Sequence, residues 1–117
     1  MLNNTALEQL LQQAMIGRSM SVPLAMGMTL AYREEQQGRG LELAVSRAEQ
    51  SPKLLKAVLE RRFRDMAVYE NCFPCTNDKG DWLVWFPLPT TDQASQYSQL
   101  AQGAEQLLAL AGLEFSR

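Results

Sequence analysis

The 117-residue sequence contains no histidine. That absence removes the imidazole base of Ser-His-Asp and Cys-His catalysis, and with it the one side chain that ordinarily titrates near neutrality. Zinc sites of the Cys₂His₂ and His₃ kinds go with it. The two cysteines present, Cys72 and Cys75, are too few for a structural tetrahedron of thiolates. Long apolar runs are missing as well: the longest, Leu107 to Leu113, falls well short of the ~20 residues that cross a bilayer. Met1-Leu2-Asn3-Asn4 has neither the basic region nor the apolar stretch of a signal peptide, so a cytoplasmic, reducing location is the expectation. Charge of one sign is lacking too. Eleven Lys and Arg face 13 Asp and Glu, a net of −2, so neither a nucleic-acid nor a membrane partner is expected from the field of the chain. Nothing in the sequence asks for a cofactor.

What is present is a globular composition: 46% hydrophobic and 21% charged residues, with 7 Gly and 5 Pro. Collagen-like, coiled-coil and wholly disordered chains are excluded by these values. A single domain over residues 1–117 is expected, and at this length roughly two-thirds of the unfolded surface is buried without help from metals or disulfides.

The first apolar period is helical. Leu7, Leu10, Leu11, Ala14 and Met15 fall on one stripe, with Thr5 and Glu8 spaced as a capping box and Gly17 placed as a C-terminal cap. From Leu24 the period becomes two: Leu24, Met26, Met28, Leu30 and Tyr32 alternate with Ala25, Gly27, Thr29 and Ala31. One face of this strand is bulky and the other nearly bare, which invites close approach by a helix or another backbone. A turn at Gln36–Gly40 leads to a partner strand carrying Leu41, Leu43 and Val45. Ser51-Pro52 opens a second helix with Leu54, Leu55, Val58, Leu59 and Phe63 as its buried stripe, while Lys53, Lys56, Glu60, Arg61 and Arg64 form the wet side. The Arg61–Arg64 cluster fits a solvated helix end, where cations oppose the dipole, better than a nucleic-acid patch. A second hairpin runs from Met66–Tyr69 toward Cys72 and Phe73, turns at Asn77–Gly80 and returns through Trp82–Phe86. The returning strand is apolar on both sides, with Trp82, Val84 and Phe86 on one and Leu83 and Trp85 on the other. Its second side is therefore expected to be covered by something other than its own helices. A last helix follows from a cap at Thr91 or Asp92, with Tyr97, Leu100, Ala104, Leu107 and Leu108 on its apolar face and Gly112 at its close.

Cys72-Phe73-Pro74-Cys75 has the spacing of a thioredoxin-type redox motif. That chemistry needs a helix starting at the first cysteine, whereas a turn and a strand follow here, so two small apolar side chains near a strand end are the better reading. The carboxylates sit on wet faces (Glu8, Glu42, Glu60, Glu105) or in turns (Asp78, Asp81), positions that solvation explains without paired-carboxylate catalysis.

The order helix, strand pair, helix, strand pair, helix runs through residues 5–113. Near its end stand the apolar strand Asp81-Trp82-Leu83-Val84-Trp85-Phe86-Pro87, a short polar break, and a glutamine-rich helix closing on Glu105-Gln106-Leu107-Leu108. This layout resembles the class I chaperones of bacterial type III secretion. The resemblance implies an α+β sandwich with three helices on an antiparallel sheet of four to five strands. Four strands are legible, and Arg18–Val22 or a break near Met26-Gly27 would supply the fifth. It further implies a homo- or heterodimer joined through the middle helix and nearby strands, with Leu54, Leu55, Val58, Leu59, Trp82, Val84 and Trp85 at the interface. A client polypeptide would lie along Met26, Met28, Leu30 and Leu43, the thioethers re-packing readily around it, with plain core filling the alternative, and favoured, reading of these methionines. Three functions remain open: a chaperone holding a secreted effector or gatekeeper; a regulatory protein of the same apparatus, binding a transcription activator or gatekeeper; and, less favoured, a thiol oxidoreductase.

Overall fold

The computed structural model describes residues 4–24, 27–35, 38–46, 52–88 and 93–112. Helix α1 spans Asn4–Met15; strands β1 (Met20–Pro23), β2 (Met28–Glu35) and β3 (Gly38–Val45) follow. Helix α2 (Pro52–Arg64), strands β4 (Phe73–Thr76) and β5 (Trp82–Pro87), and helix α3 (Gln93–Leu110) complete the chain. The five strands form one antiparallel sheet in the order β1-β2-β3-β5-β4. This is the three-helix α+β sandwich expected from the secretion-chaperone resemblance, and the fifth strand is the short Met20–Pro23 segment.

Period-two alternation decides which side of the sheet is buried. Val22, Leu30, Leu43 and Val84 share one register row, and Tyr32, Leu41 and Phe86 share the next. All seven are buried, against α1 residues such as Leu10 and Leu11 and α3 residues such as Leu100 and Leu107, in a single core. The opposite face carries Thr29, Ala31, Arg33, Glu42 and Ala44, with an Arg33–Glu42 ion pair at 3.2 Å. No described helix covers that bare face: α1 packs on β1 and β2, α3 on β3 and β5, all from the bulky side.

Two glycines set how closely the layers approach. Gly103, in the middle of α3, faces Phe86: a Cβ there would stand 2.7 Å from the ring's Cδ1 and 3.2 Å from Leu41 Cδ1. Glycine costs a helix about 1 kcal/mol relative to alanine, and here it lets α3 lie on the aromatic ring. Gly40 was expected in a turn, but β3 begins two residues earlier, at Gly38, and Gly40 pairs with Pro87. The Trp85 indole lies across it, 2.6 Å from the position of a Cβ. So part of the apolar second side of β5 is covered by its own chain, through a gap that only glycine leaves.

Three further expectations change. Residues 66–69 form turns rather than a strand, because the Asp65 carbonyl accepts the amides of Val68 and Tyr69 at 2.9 and 3.1 Å and the Tyr69 carbonyl accepts that of Cys72. Phe63 stands exposed beyond the α2 stripe. At the other end of the molecule, α1 starts at Asn4, one residue before the expected cap, and the Glu8 carboxylate accepts the Tyr97 hydroxyl at 2.8 Å, tying α1 to α3. The caps expected at Ser51, Thr91 and Asp92 lie outside the described residues.

Two of the three arginines at the end of α2, Arg61 and Arg62, are ties, while Arg64 stays on the solvated side. Arg61 Nη1 donates to the Leu110 carbonyl at 2.8 Å, closing the C-terminal end of α3, and Arg62 Nε donates to the Cys72 carbonyl at 2.8 Å. A charged donor on the carbonyls of a helix end gains from both the hydrogen bond and the dipole. Arg61→Ala should therefore lower stability by about 1–2 kcal/mol, measured by urea unfolding, with Arg61→Lys recovering part of the loss. Unchanged stability would show that the α2–α3 tie contributes nothing.

Candidate functional site

Helix α2 packs chiefly against α3. The spacing of its side chains explains the consequence. Leu54, Val58 and Arg61 follow one helical ridge, and Arg61 reaches the end of α3. Leu55 and Leu59 lie on the neighbouring ridge, above the β5–β4 end of the sheet. Between this helix and the sheet remains a cleft of about 270 Å³. Leu54, Leu55, Val58 and Leu59 form its roof, Met28, Leu43, Val45, Trp82 and Val84 its floor, and Pro74 and Thr76 its β4 side. Val58 is the one buried residue of α2; Leu54, Leu55 and Leu59 are half-buried. A helix that left water on three leucines and a tryptophan would forgo about 25 cal/mol for each Å² of apolar surface, so this opening favours an apolar occupant.

The structure thus gathers two sets of residues that the sequence reading kept apart. Leu54, Leu55, Val58, Leu59, Trp82 and Val84, expected at a dimer interface, and Met28 and Leu43, expected to hold a client, line the same cleft. Leu30 does not join them: it is fully enclosed in the core. Met26 lies outside the described residues. Trp85 points to the other side of the sheet, opposite Phe73 of β4 and Glu42 of β3. The middle helix and the second face of β5 are therefore separate surfaces, divided by the sheet. Val45, Pro74 and Thr76 were not anticipated. Val45 was legible as the next inward position of β3 after Leu43, whereas nothing local marked Pro74 and Thr76 as the cleft's side.

The two cysteines differ in burial, but neither has the character of a redox nucleophile. Cys72 is buried, its thiol 3.7 Å from Gln106 Oε1; Cys75 is exposed on β4; both are free. Burial pushes the Cys72 thiol from 9.0 up to about 11, with the nearby Arg62 guanidinium opposing the shift. Partial cover and the Glu42 carboxylate push Cys75 upward as well. A redox nucleophile needs the reverse, a thiol whose pKa is lowered. Among the described residues no three His, Cys, Asp or Glu side chains come together as metal ligands, and no helix is long and apolar enough to cross a membrane.

The Cys72 shift has a stability consequence. The folded thiol keeps its proton between pH 9 and 11 while the unfolded one releases it, so the stabilisation present below pH 9 is lost as pH rises through 11. Cys72 should account for roughly 2–3 kcal/mol of that loss. Burial also pushes Tyr32 and Tyr69 upward, adding loss in the same direction. Comparing unfolding at pH 8 and 10.5 for wild type and Cys72→Ala isolates the thiol: the variant's stability should fall less steeply, and parallel pH profiles would refute the assignment.

Comparison with known proteins adds one positive result. No curated protein and no solved structure matches the chain. A family model described as HrpV-like matches residues 3–116. Because that match runs through all three helices, all five strands and both walls of the cleft, the chain belongs to the HrpV-like family, which is associated with type III secretion.

Proposed function

We propose that this non-enzymatic member of the HrpV-like family is a cytoplasmic regulatory adaptor of type III secretion that acts by binding another protein, a transcription activator or a gatekeeper, through the α2–sheet cleft. The observation that carries the reading is the cleft itself: an apolar opening formed by a half-seated helix and the Trp82 end of the sheet. Family membership supports the regulatory side of the reading. The cleft residues supply what a protein–protein hot spot requires, a concave apolar centre with an aromatic in its wall.

A second reading, a chaperone that dimerises and holds a secreted effector, is favoured by the sandwich fold and by the surface on the far side of the sheet. There Leu83 and Trp85 are half-buried and Phe73 is 48% exposed. Co-purification of the tagged chain from its host, with the partner identified by mass spectrometry, separates the two. The cleft reading expects a regulatory protein to be retained by Trp85→Asp and lost by Leu59→Asp. Retention of that partner by Leu59→Asp, with loss by Trp85→Asp, would move binding to the far face.

A further inference from the structure

Resting on the cleft reading, we infer that its occupant is an amphipathic helix bearing carboxylates beside its apolar stripe, seated in the groove rather than added as a strand to the sheet. Two independent features point there: the sign of charge on α2 and the chemistry of the β4 edge.

Charge is distributed against the trend of the chain. Helix α2 carries five cations and one carboxylate, while the remaining residues carry six cations and twelve carboxylates. An acidic protein thus presents its principal basic element as one wall of its apolar cleft. The helical ridge Pro52, Lys56, Leu59, Phe63 lies on the side of α2 away from Arg61 and α3, along the mouth. Lys56 there is well exposed, and its exposed neighbour Glu60 is held only at 3.8 Å. Carboxylates flanking an inserted apolar stripe would meet Lys56, and those reaching over the helix would meet Lys53 and Arg64. Complementary charge of this kind sets specificity and encounter rate, while the apolar stripe supplies affinity.

Strand addition is disfavoured by the edge. β4 is the outermost strand on the cleft side. The Asn77 amide donates to the Asp81 carbonyl at 3.2 Å, one step beyond the Thr76–Trp82 pair. Hydrogen-bonded pairs alternate along an antiparallel ladder, so Phe73 and Cys75 turn their backbone groups toward β5, and Pro74 and Thr76 turn theirs to the open edge. Pro74 has no amide to donate. In this four-residue strand the edge offers a single N–H, that of Thr76, which blunts it as a template for an incoming strand. A helix satisfies its own backbone and asks only for an apolar groove.

The test uses three fluorescein-labelled peptides and fluorescence anisotropy on the intact chain. The first has leucines at i, i+3, i+4 and i+7 with glutamates elsewhere. The second replaces the glutamates by lysines. The third carries a central proline that breaks the glutamate helix. The glutamate helix should bind at least about tenfold more tightly than either alternative. Lys56→Glu, on an exposed side chain that leaves the fold intact, should weaken the glutamate helix several-fold and strengthen its lysine twin. Failure of the glutamate helix to bind, equal affinity for the lysine twin, or equal affinity for the proline peptide overturns the inference. Any of these together with loss of the native partner by Leu59→Asp would remove the acidic helix and leave the cleft standing; undiminished capture by Leu59→Asp would remove both.

Discussion

Leu59→Asp should weaken partner binding by two to three orders of magnitude while leaving the chain folded. The half-buried side chain lines the mouth of the cleft on the side of α2 away from α3. In the free protein an aspartate there keeps contact with water. Its effect on folding should stay near 1 kcal/mol, the loss of partly buried apolar surface. In the complex the same carboxylate is enclosed between apolar walls with no partner, a situation that costs about 3–4 kcal/mol and equals a 100- to 1,000-fold loss of affinity. Isothermal titration with the co-purified partner measures it, and circular dichroism confirms the fold. Wild-type affinity in a folded Leu59→Asp chain would place the binding site elsewhere.

The second large effect concerns the scaffold. Gly103→Leu should destabilise the protein by about 3 kcal/mol, because even a Cβ meets the Phe86 ring at 2.7 Å and that ring is buried with nowhere to go. For a chain of this size the melting temperature should drop by about 12 °C. A double-mutant cycle sharpens the claim. If the cost is overpacking against the ring, Gly103→Leu in a Phe86→Ala background should lose much less stability than in wild type. Additive losses would show that the helix interior, and not the ring, is what the leucine offends.

The helices and the inward rows of the sheet were legible because burial imposes a period on the sequence. Leu7–Leu10–Leu11–Ala14 and Leu41–Leu43–Val45 state the faces that are buried. What escaped was set by contacts remote in sequence. Gly40 reads as a turn residue until an indole from β5 is laid over it. Arg61 and Arg62 read as solvated until carbonyls 49 and 10 residues away are found at their tips. Met66 and Val68 alternate like a strand, yet both are exposed, since Asp65 draws the backbone into a turn first. Strand β1, Met20–Pro23, has only four residues, too few to display a period, and ends on a proline.

The candidate site was half legible for the same reason. Its walls are periodic stripes, and the leucines of α2 and the tryptophan of β5 stand out in the sequence. That α2 leans on α3 and stands off the sheet, so that Met28 and Leu43 share a cavity with Leu55 and Leu59, depends on how three elements pack. The separation of Trp82 from Trp85, by contrast, follows from the period of two alone, which places the two indoles on opposite sides of the same strand. The apolar second side that suggested an outside cover is real at Phe73, and at Trp85 it is met in part by Gly40.

Hydrogen–deuterium exchange of the chain alone and with its co-purified partner tests the cleft most directly, because the amides of its two sides lie in different peptides. A partner seated between them should slow exchange across α2, Pro52–Arg64, and across β4, Phe73–Thr76. Unchanged exchange in both segments, with protection confined to α1 or to β1 and β2, would contradict the assignment of the cleft as the binding site.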